Sequence, residues 1–323
     1  MTRIKDRRGA EIGDSIENLK KQAFQYLKEG KIEQALEALQ EALRIDFDDA
    51  ELLWTLKCLN WWLEKTKCLE KISAPYDRGF FIMSQWKGFY AFLDKIGQAY
   101  ENSRYAIRHF VSSLALQSFE EALCDGVIRH DPFLFLQIGR CYKAIGDYDT
   151  ALEYLKKAAG FMQESGEALC ELADVNALVG ETKQAKVLFR EAFFVNPESI
   201  DIHEMESSVI VKLAESVRDL GVKPDMLSEW IPVYGTLFGV FSVKRELKLV
   251  ELGKLKQAIF TLENDVRNNS EEKSMLVPRL LNKYLWLLDH YENTNEEGAL
   301  MNEVLLKIKL IDPRIYERYM SVK

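Results

Sequence analysis

A recurrence of small side chains at a fixed interval constrains this chain more than any other feature of its sequence. "YKAIGDYDTALEYLKKAAGF" occupies residues 142–161, and "NALVGETKQAKVLFREAFFV" begins 34 residues later. The two share few identities, yet Gly146, Ala151 and Ala158 return as Gly180, Ala185 and Ala192. Apolar residues recur at helical spacing on both sides of Gly146: Phe135, Ile138, Gly139 and Tyr142 before it, Leu152, Leu155 and Ala158 after it. Asp131-Pro132 offers an oxygen cap and then a proline at the first helical position. Gly146 can adopt the left-handed conformation that ends a helix. The spacing predicts a helix near 133–145, a tight turn, and a helix near 149–162. Gly139 and Ala151 are expected where these two helices touch, and Ala158 where the next unit packs.

The next unit repeats the plan with Leu169, Leu172, Ala173, Gly180, Ala185, Phe189, Ala192 and Pro197. A third copy, "LKKQAFQYLKEGKIEQALEALQEALRIDFDD", places Leu19, Ala23, Tyr26, Gly30, Ile32, Ala35, Leu39 and Ala42 at equivalent positions. A degenerate fourth, "LKLVELGKLKQAIFTLENDV", has Leu249, Gly253, Leu255, Ala258 and Leu262, with Asp265 where the third small residue belongs. A 34-residue helix–turn–helix unit of this kind resembles the tetratricopeptide repeat. The resemblance covers about 16–49 and 132–199 and is weaker elsewhere. It implies an all-α fold, an α-solenoid of helix pairs in which each unit buries its apolar face on its neighbours. Residues 50–72 and 86–125 are rich in helix formers, strand signals are absent, and Asp312-Pro313 starts a closing helix. The expected organisation is a basic tail over 1–15, repeat-like helices over 16–130, two well-formed repeats over 131–200, and degenerate helical repeats over 201–323.

Two stretches break the pattern. In "SAPYDRGFFIMSQWKGFYAFL", residues 73–93, Pro75 and Gly79 predict a loop with a helix resuming near Met83. Its Tyr76, Phe80, Phe81 and Trp86 either fill a gap between mismatched helix pairs or form an exposed aromatic face for a partner. In residues 220–247, Gly221 and Pro224 are expected to end a helix that starts near His203, and Ile231-Pro232 to interrupt the chain again. Gly235 and Gly239 permit close backbone approach there, so the segment reads as a packing seam.

The chemistry of catalysis is not visible. There is no GxxxxGK[ST] phosphate loop and no GxSxG elbow, and His203-Glu204-Met205-Glu206 lacks the second histidine of a zinc helix. The histidines read as surface residues. No catalytic residue, cofactor, metal or small-molecule substrate is expected. The net charge of −8 argues against sequence-independent nucleic-acid binding. No apolar run approaches the roughly 20 residues of a membrane-spanning helix. No secretory leader is apparent, and the five cysteines contain no CxxC pair and read as reduced core residues. A cytoplasmic location is therefore expected, without membrane association.

The resemblance also implies a use, because tetratricopeptide arrays are protein-interaction scaffolds whose first helices line a concave groove. The positions it assigns to the groove are Phe133, Leu136, Gln137, Arg140 and Lys143; then Glu167, Cys170, Glu171 and Asp174; and in the first unit Glu17, Lys20, Lys21, Phe24 and Lys28. Arg140 and Lys143 could instead pair with Glu171 and Asp174, which would make that row structural. Some co-chaperones of the family hold a peptide carboxylate with a clamp of Lys, Asn and Arg. Here Glu167 and Glu171 stand where cations belong, so that ligand is not expected. The expected function is a non-enzymatic scaffold or adaptor that binds another protein. The alternative is a structural subunit of a larger assembly, self-associating or joining a ring through the aromatic 73–93 face. The aromatic 73–93 segment and "EWIPVYGTLFGVFSVKREL" are similar to parts of bacterial repeat proteins that build large scaffolds, including the flagellar-motor collar, which would imply a periplasmic or motor-associated location.

Overall fold

The computed structural model describes residues 2–97, 100–124, 130–243, 246–268, 272–294 and 298–322, with side chains from Gly13 onward. It is all-α: no strand occurs among the described residues. The helices are α1 (Thr2–Lys28), α2 (Ile32–Ile45), α3 (Ala50–Thr66), α4 (Pro75–Ser84), α5 (Trp86–Ile96), α6 (Glu101–Leu123), α7 (Pro132–Ile145) and α8 (Tyr148–Phe161). They continue with α9 (Gly166–Leu178), α10 (Thr182–Val195), α11 (Ser208–Asp219), α12 (Leu227–Leu237), α13 (Leu249–Asn268), α14 (Lys273–Thr294), α15 (Gly298–Ile311) and α16 (Pro313–Val322). Neighbouring helices pack in pairs, as an α-solenoid of helix–turn–helix units requires. None of the described helices is long and apolar enough to cross a membrane. Two compact units emerge, Met1–Tyr154 and Leu155–Lys323.

The recurrent glycines have one structural job. Gly30, Gly146 and Gly180 have φ of +77°, +89° and +90°, a region that only glycine enters without a Cβ penalty. In each turn the residue after the glycine donates its N–H five residues back: Lys31 to Tyr26 O at 2.9 Å, Asp147 to Tyr142 O at 3.0 Å, and Glu181 to Asn176 O at 2.8 Å. This is the bonding of a Schellman cap, which satisfies carbonyls that a helix end would leave open. The recurrent alanines, Ala35, Ala151 and Ala185, then Ala42, Ala158 and Ala192, are all fully buried. Asp131 and Asp312 cap their helices as expected, accepting backbone N–H bonds from Phe133 and from Arg314 and Ile315.

In the first unit α1 packs on α2, and α6 contacts α1, α3, α4 and α7. The expected basic tail belongs instead to the 27-residue α1. The 73–93 segment is not a loop. Pro75 sits at the first position of α4, where its missing N–H costs no helical bond. Gly79 lies inside α4, and a Cβ there would fall 2.3 Å from Cε1 of buried Phe119, so this glycine lets α4 approach α6. Trp86 begins α5 and is buried with Phe89. Trp62 meets Trp61, Trp86 and Phe89 at ring-centroid distances of 5.0, 5.0 and 5.2 Å. The aromatic excess of this region is the core of the unit.

In the second unit α9 packs on α10 so closely that a Cβ at Gly166 would lie 2.5 Å from Asn196 O and 2.8 Å from Ala192 O. The helix after Pro197 starts at Ser208, not near His203, because two short 3-10 turns occupy 197–199 and 202–204. Pro232 does not interrupt the chain; it is buried inside α12. The seam reading of 220–247 agrees with the packing: Ile231, Val233, Leu237 and Phe241 are buried, and a Cβ at Gly235 would meet the Phe241 ring at 2.4 Å. The degenerate fourth copy has no turn, since Gly253 lies within the continuous α13. A glycine costs a helix interior only about 1 kcal/mol, too little to break one whose flanking residues, 249–252 and 254–258, are mostly Leu, Glu, Lys and other good helix formers.

Candidate functional site

The first helices of the repeats carry the residues assigned to a groove, and burial divides them. On α7, Phe133 is 54% exposed, Gln137 and Arg140 are half-buried, and Leu136 and Lys143 are buried. Phe133, Gln137 and Arg140 are spaced four and then three residues apart, so they form one stripe along the helix. Tyr142 and Tyr154 stack at 5.8 Å, joining α7 to α8.

The α9 row is not an open groove wall. Glu167 is half-buried, but Cys170, Glu171 and Asp174 are buried. Asp174 accepts N–H bonds from Glu206 and Ser207, both at 2.9 Å, and Cys170 Sγ lies 3.5 Å from Met205 Sδ. The segment before α11 thus lies over α9, and the Asp174 carboxylate takes up N–H groups that precede the α11 helix. A residue about two turns into a repeat helix can carry the right periodicity and still serve as a clamp for a later segment.

On α1, Lys21, Glu17 and Lys28 are exposed, while Phe24 is half-buried and packed on the core of its unit. Lys20 is tied down: its ammonium lies 2.9 Å from both Asp49 and Glu51, and Glu51 also accepts a 2.9 Å bond from the Ser103 hydroxyl. Burial opposes the Lys20 charge, but the bonds from Asp49 and Glu51 outweigh it and hold its pKa above the ordinary value. Burial likewise opposes the Asp49 charge, and the Lys20 bond with the Leu52 N–H holds that carboxyl below its ordinary value. The pair therefore stabilises the fold above about pH 4, fading as acid carries Asp49 through its lowered pKa. It fades again as the pH rises past about 10.5, through the raised pKa of Lys20. Lys20→Ala is expected to cost about 1–2 kcal/mol at pH 7. Urea titrations should show that difference shrink at pH 3.

The candidate second interface is largely internal. Trp86 is buried, whereas Tyr76, Phe80 and Phe81 are half-buried. Tyr76 donates its hydroxyl to Asp131 Oδ2 at 2.7 Å, and burial together with that carboxylate pushes its pKa up to about 12. Phe80 meets Phe119 edge-on at 5.3 Å. Other sequence expectations also change. Cys58, Cys141 and Cys170 are buried, but Cys68 and Cys124 are exposed. His290 is no surface residue: it is buried, and its Nδ1 accepts the Leu247 N–H at 3.2 Å. The sequence reading missed the buried Arg190–Asp289 ion pair, because it joins helices that no short motif relates.

The tetratricopeptide repeat family model matches residues 26–49 and 134–160, which carry the Gly30 and Gly146 turns. No match is found among curated proteins. The chain therefore contains tetratricopeptide repeats, matched at those two places. Repeats of this kind are protein–protein interaction modules and are generally not enzymes.

Proposed function

We propose that this protein is a non-enzymatic adaptor that binds a peptide or helix of another protein along the first-helix face of its N-terminal unit. The observation that carries the reading is the exposure of Phe133. A phenylalanine 54% open to solvent, in the first turn of an otherwise largely buried repeat helix, is an anchor waiting for a pocket-filling partner. Gln137 and Arg140 continue the same stripe and supply hydrogen-bond donors to orient the ligand. Lys21 and Phe24 on α1 extend the candidate surface within the unit. Leu136 and Lys143 support the unit that presents it, because buried side chains cannot meet a ligand.

Affinity capture from host lysate, with wild type beside the Phe133→Ala/Arg140→Glu variant, tests this. A discrete partner should be retained by wild type and weakened by about 30-fold in the variant, the loss of one hot-spot residue. Circular dichroism should show the same helix content in both. Recovery of the same partners at the same affinity with both baits would show that this stripe is not the binding face.

A further inference from the structure

The C-terminal unit contains a second surface, outside the matched repeats. Helices α13 and α15 both pack on α14, and between them runs an open channel floored by Leu280, Tyr284 and Leu287. A bridge crosses its middle: Lys307 Nζ reaches Glu263 and Glu303, each at 3.1 Å, and the Tyr284 hydroxyl donates to Glu263 at 2.6 Å. Cavities of about 240 and 220 Å³ lie on either side of this bridge. Two large apolar side chains stand open at the channel, Phe260 at 66% and Leu310 at 76% exposure.

The charges along the channel are asymmetric in a way that selects an occupant. Both of its described acidic residues, Glu263 and Glu303, are engaged by Lys307. The two remaining cations lie at opposite ends. Lys256 sits over the Tyr291 ring at 5.5 Å in one cavity, and Arg267 lines the other, its charge also acting on Glu263 four residues before it. Three turns of α13 separate them, roughly 16 Å at 1.5 Å per residue. The floor is apolar and the walls are helices, whose backbone groups are already bonded. An extended peptide would bury its own N–H and C=O groups there without partners, whereas a helix satisfies them internally.

We infer that the channel between α13 and α15 docks an amphipathic helix of another protein, about three turns long, apolar on the inserted face and acidic at both ends. The probe is a fluorescein-labelled 15-residue helical peptide with leucines on one face and a glutamate at each end of that stripe, titrated by anisotropy against the full chain. Saturable binding is expected, weakened at least tenfold when both glutamates become lysines. Lys256→Glu/Arg267→Glu should reverse that preference. Phe260→Asp, at an exposed position that leaves the fold intact by circular dichroism, should abolish binding. The Phe133→Ala/Arg140→Glu variant should bind the peptide as wild type does, so this surface and the N-terminal stripe stand or fall separately. No saturable binding, equal affinity for the two peptides, or binding that survives Phe260→Asp would overturn the inference. So would a concentration-dependent dimer that Phe260→Asp dissolves, which would give the channel to a second copy of the chain.

Discussion

Asp289→Ala is expected to destabilise the C-terminal unit by about 3–5 kcal/mol, the cost of leaving one partner of a buried ion pair without the other. Arg190 on α10 and Asp289 on α14 form that pair with side chains only 5% and 4% exposed. The guanidinium also donates to the carbonyl oxygens of Phe241, at 3.2 Å, and Val243, and it faces the Trp286 ring at 4.7 Å. One side chain therefore holds together two helices and the segment after α12. Burial pushes the Arg190 pKa down to about 10, which still leaves it charged at neutral pH. Without Asp289 the guanidinium loses the carboxylate it is paired with and keeps the Phe241 and Val243 carbonyls. The companion variant Arg190→Met/Asp289→Leu should recover most of the loss, since an apolar pair of similar volume carries no desolvation cost. Urea denaturation followed by circular dichroism reads both. A loss below about 1 kcal/mol in Asp289→Ala would show that water or other groups satisfy Arg190, and that the pair does not hold the seam.

The repeats were legible in the sequence because their constraints are local. A positive-φ turn admits glycine, a helix start favours Asp-Pro, and a close helix contact admits alanine; each leaves a mark within a few residues. Gly30, Gly146 and Gly180 carry that signal in full. The same residue types mislead where a distant contact sets their role. Gly79 reads as a loop glycine, yet it makes room for the Phe119 ring. Pro75 and Pro232 read as breaks, yet one opens α4 and the other is absorbed in α12. Gly253 reads as a turn, yet nothing packs against it to force one.

The candidate site was legible only as far as periodicity reaches. Spacing shows which residues share a helix face, but it does not reveal what covers the face. Asp174 and Phe133 occupy comparable faces of their repeats; the 205–207 segment covers one, and the other is open to solvent. Lys20 likewise has the position of a groove cation, yet Asp49 and Glu51 at the start of α3 hold it. Glu51 is 31 residues from Lys20 and Glu206 is 32 from Asp174, so the deciding partners belong to other segments that a periodic pattern within one helix does not show.

Trp86→Ala separates the two readings of the aromatic 73–93 segment. The packing predicts a loss of about 3–5 kcal/mol, as for other large aromatic truncations in cores. Trp86 is 7% exposed; it meets Trp62 edge-on at 5.0 Å and Phe89 at 5.7 Å, and it stacks on Tyr90 at 5.8 Å. Removing the indole opens a cavity among rings that cannot collapse into it, because Trp62 is itself pinned by Trp61 and Phe89. Edge-to-face pairs add about 0.5–1.5 kcal/mol beyond the buried area, and two of the three ring contacts are of that kind. The fall in stability should appear in the N-terminal unit, read by far-UV circular dichroism so that the lost indole does not distort the signal. Sedimentation at a urea concentration where both proteins are folded should give the same mass for each. An assembly face requires the opposite pattern: unchanged stability and a smaller sedimenting species. Phe81→Ala is the matched control. Its half-buried ring should cost less than Trp86, because part of it already faces water. A Trp86→Ala chain within about 1 kcal/mol of wild type would remove this residue from the core and restore the aromatic segment as a binding surface.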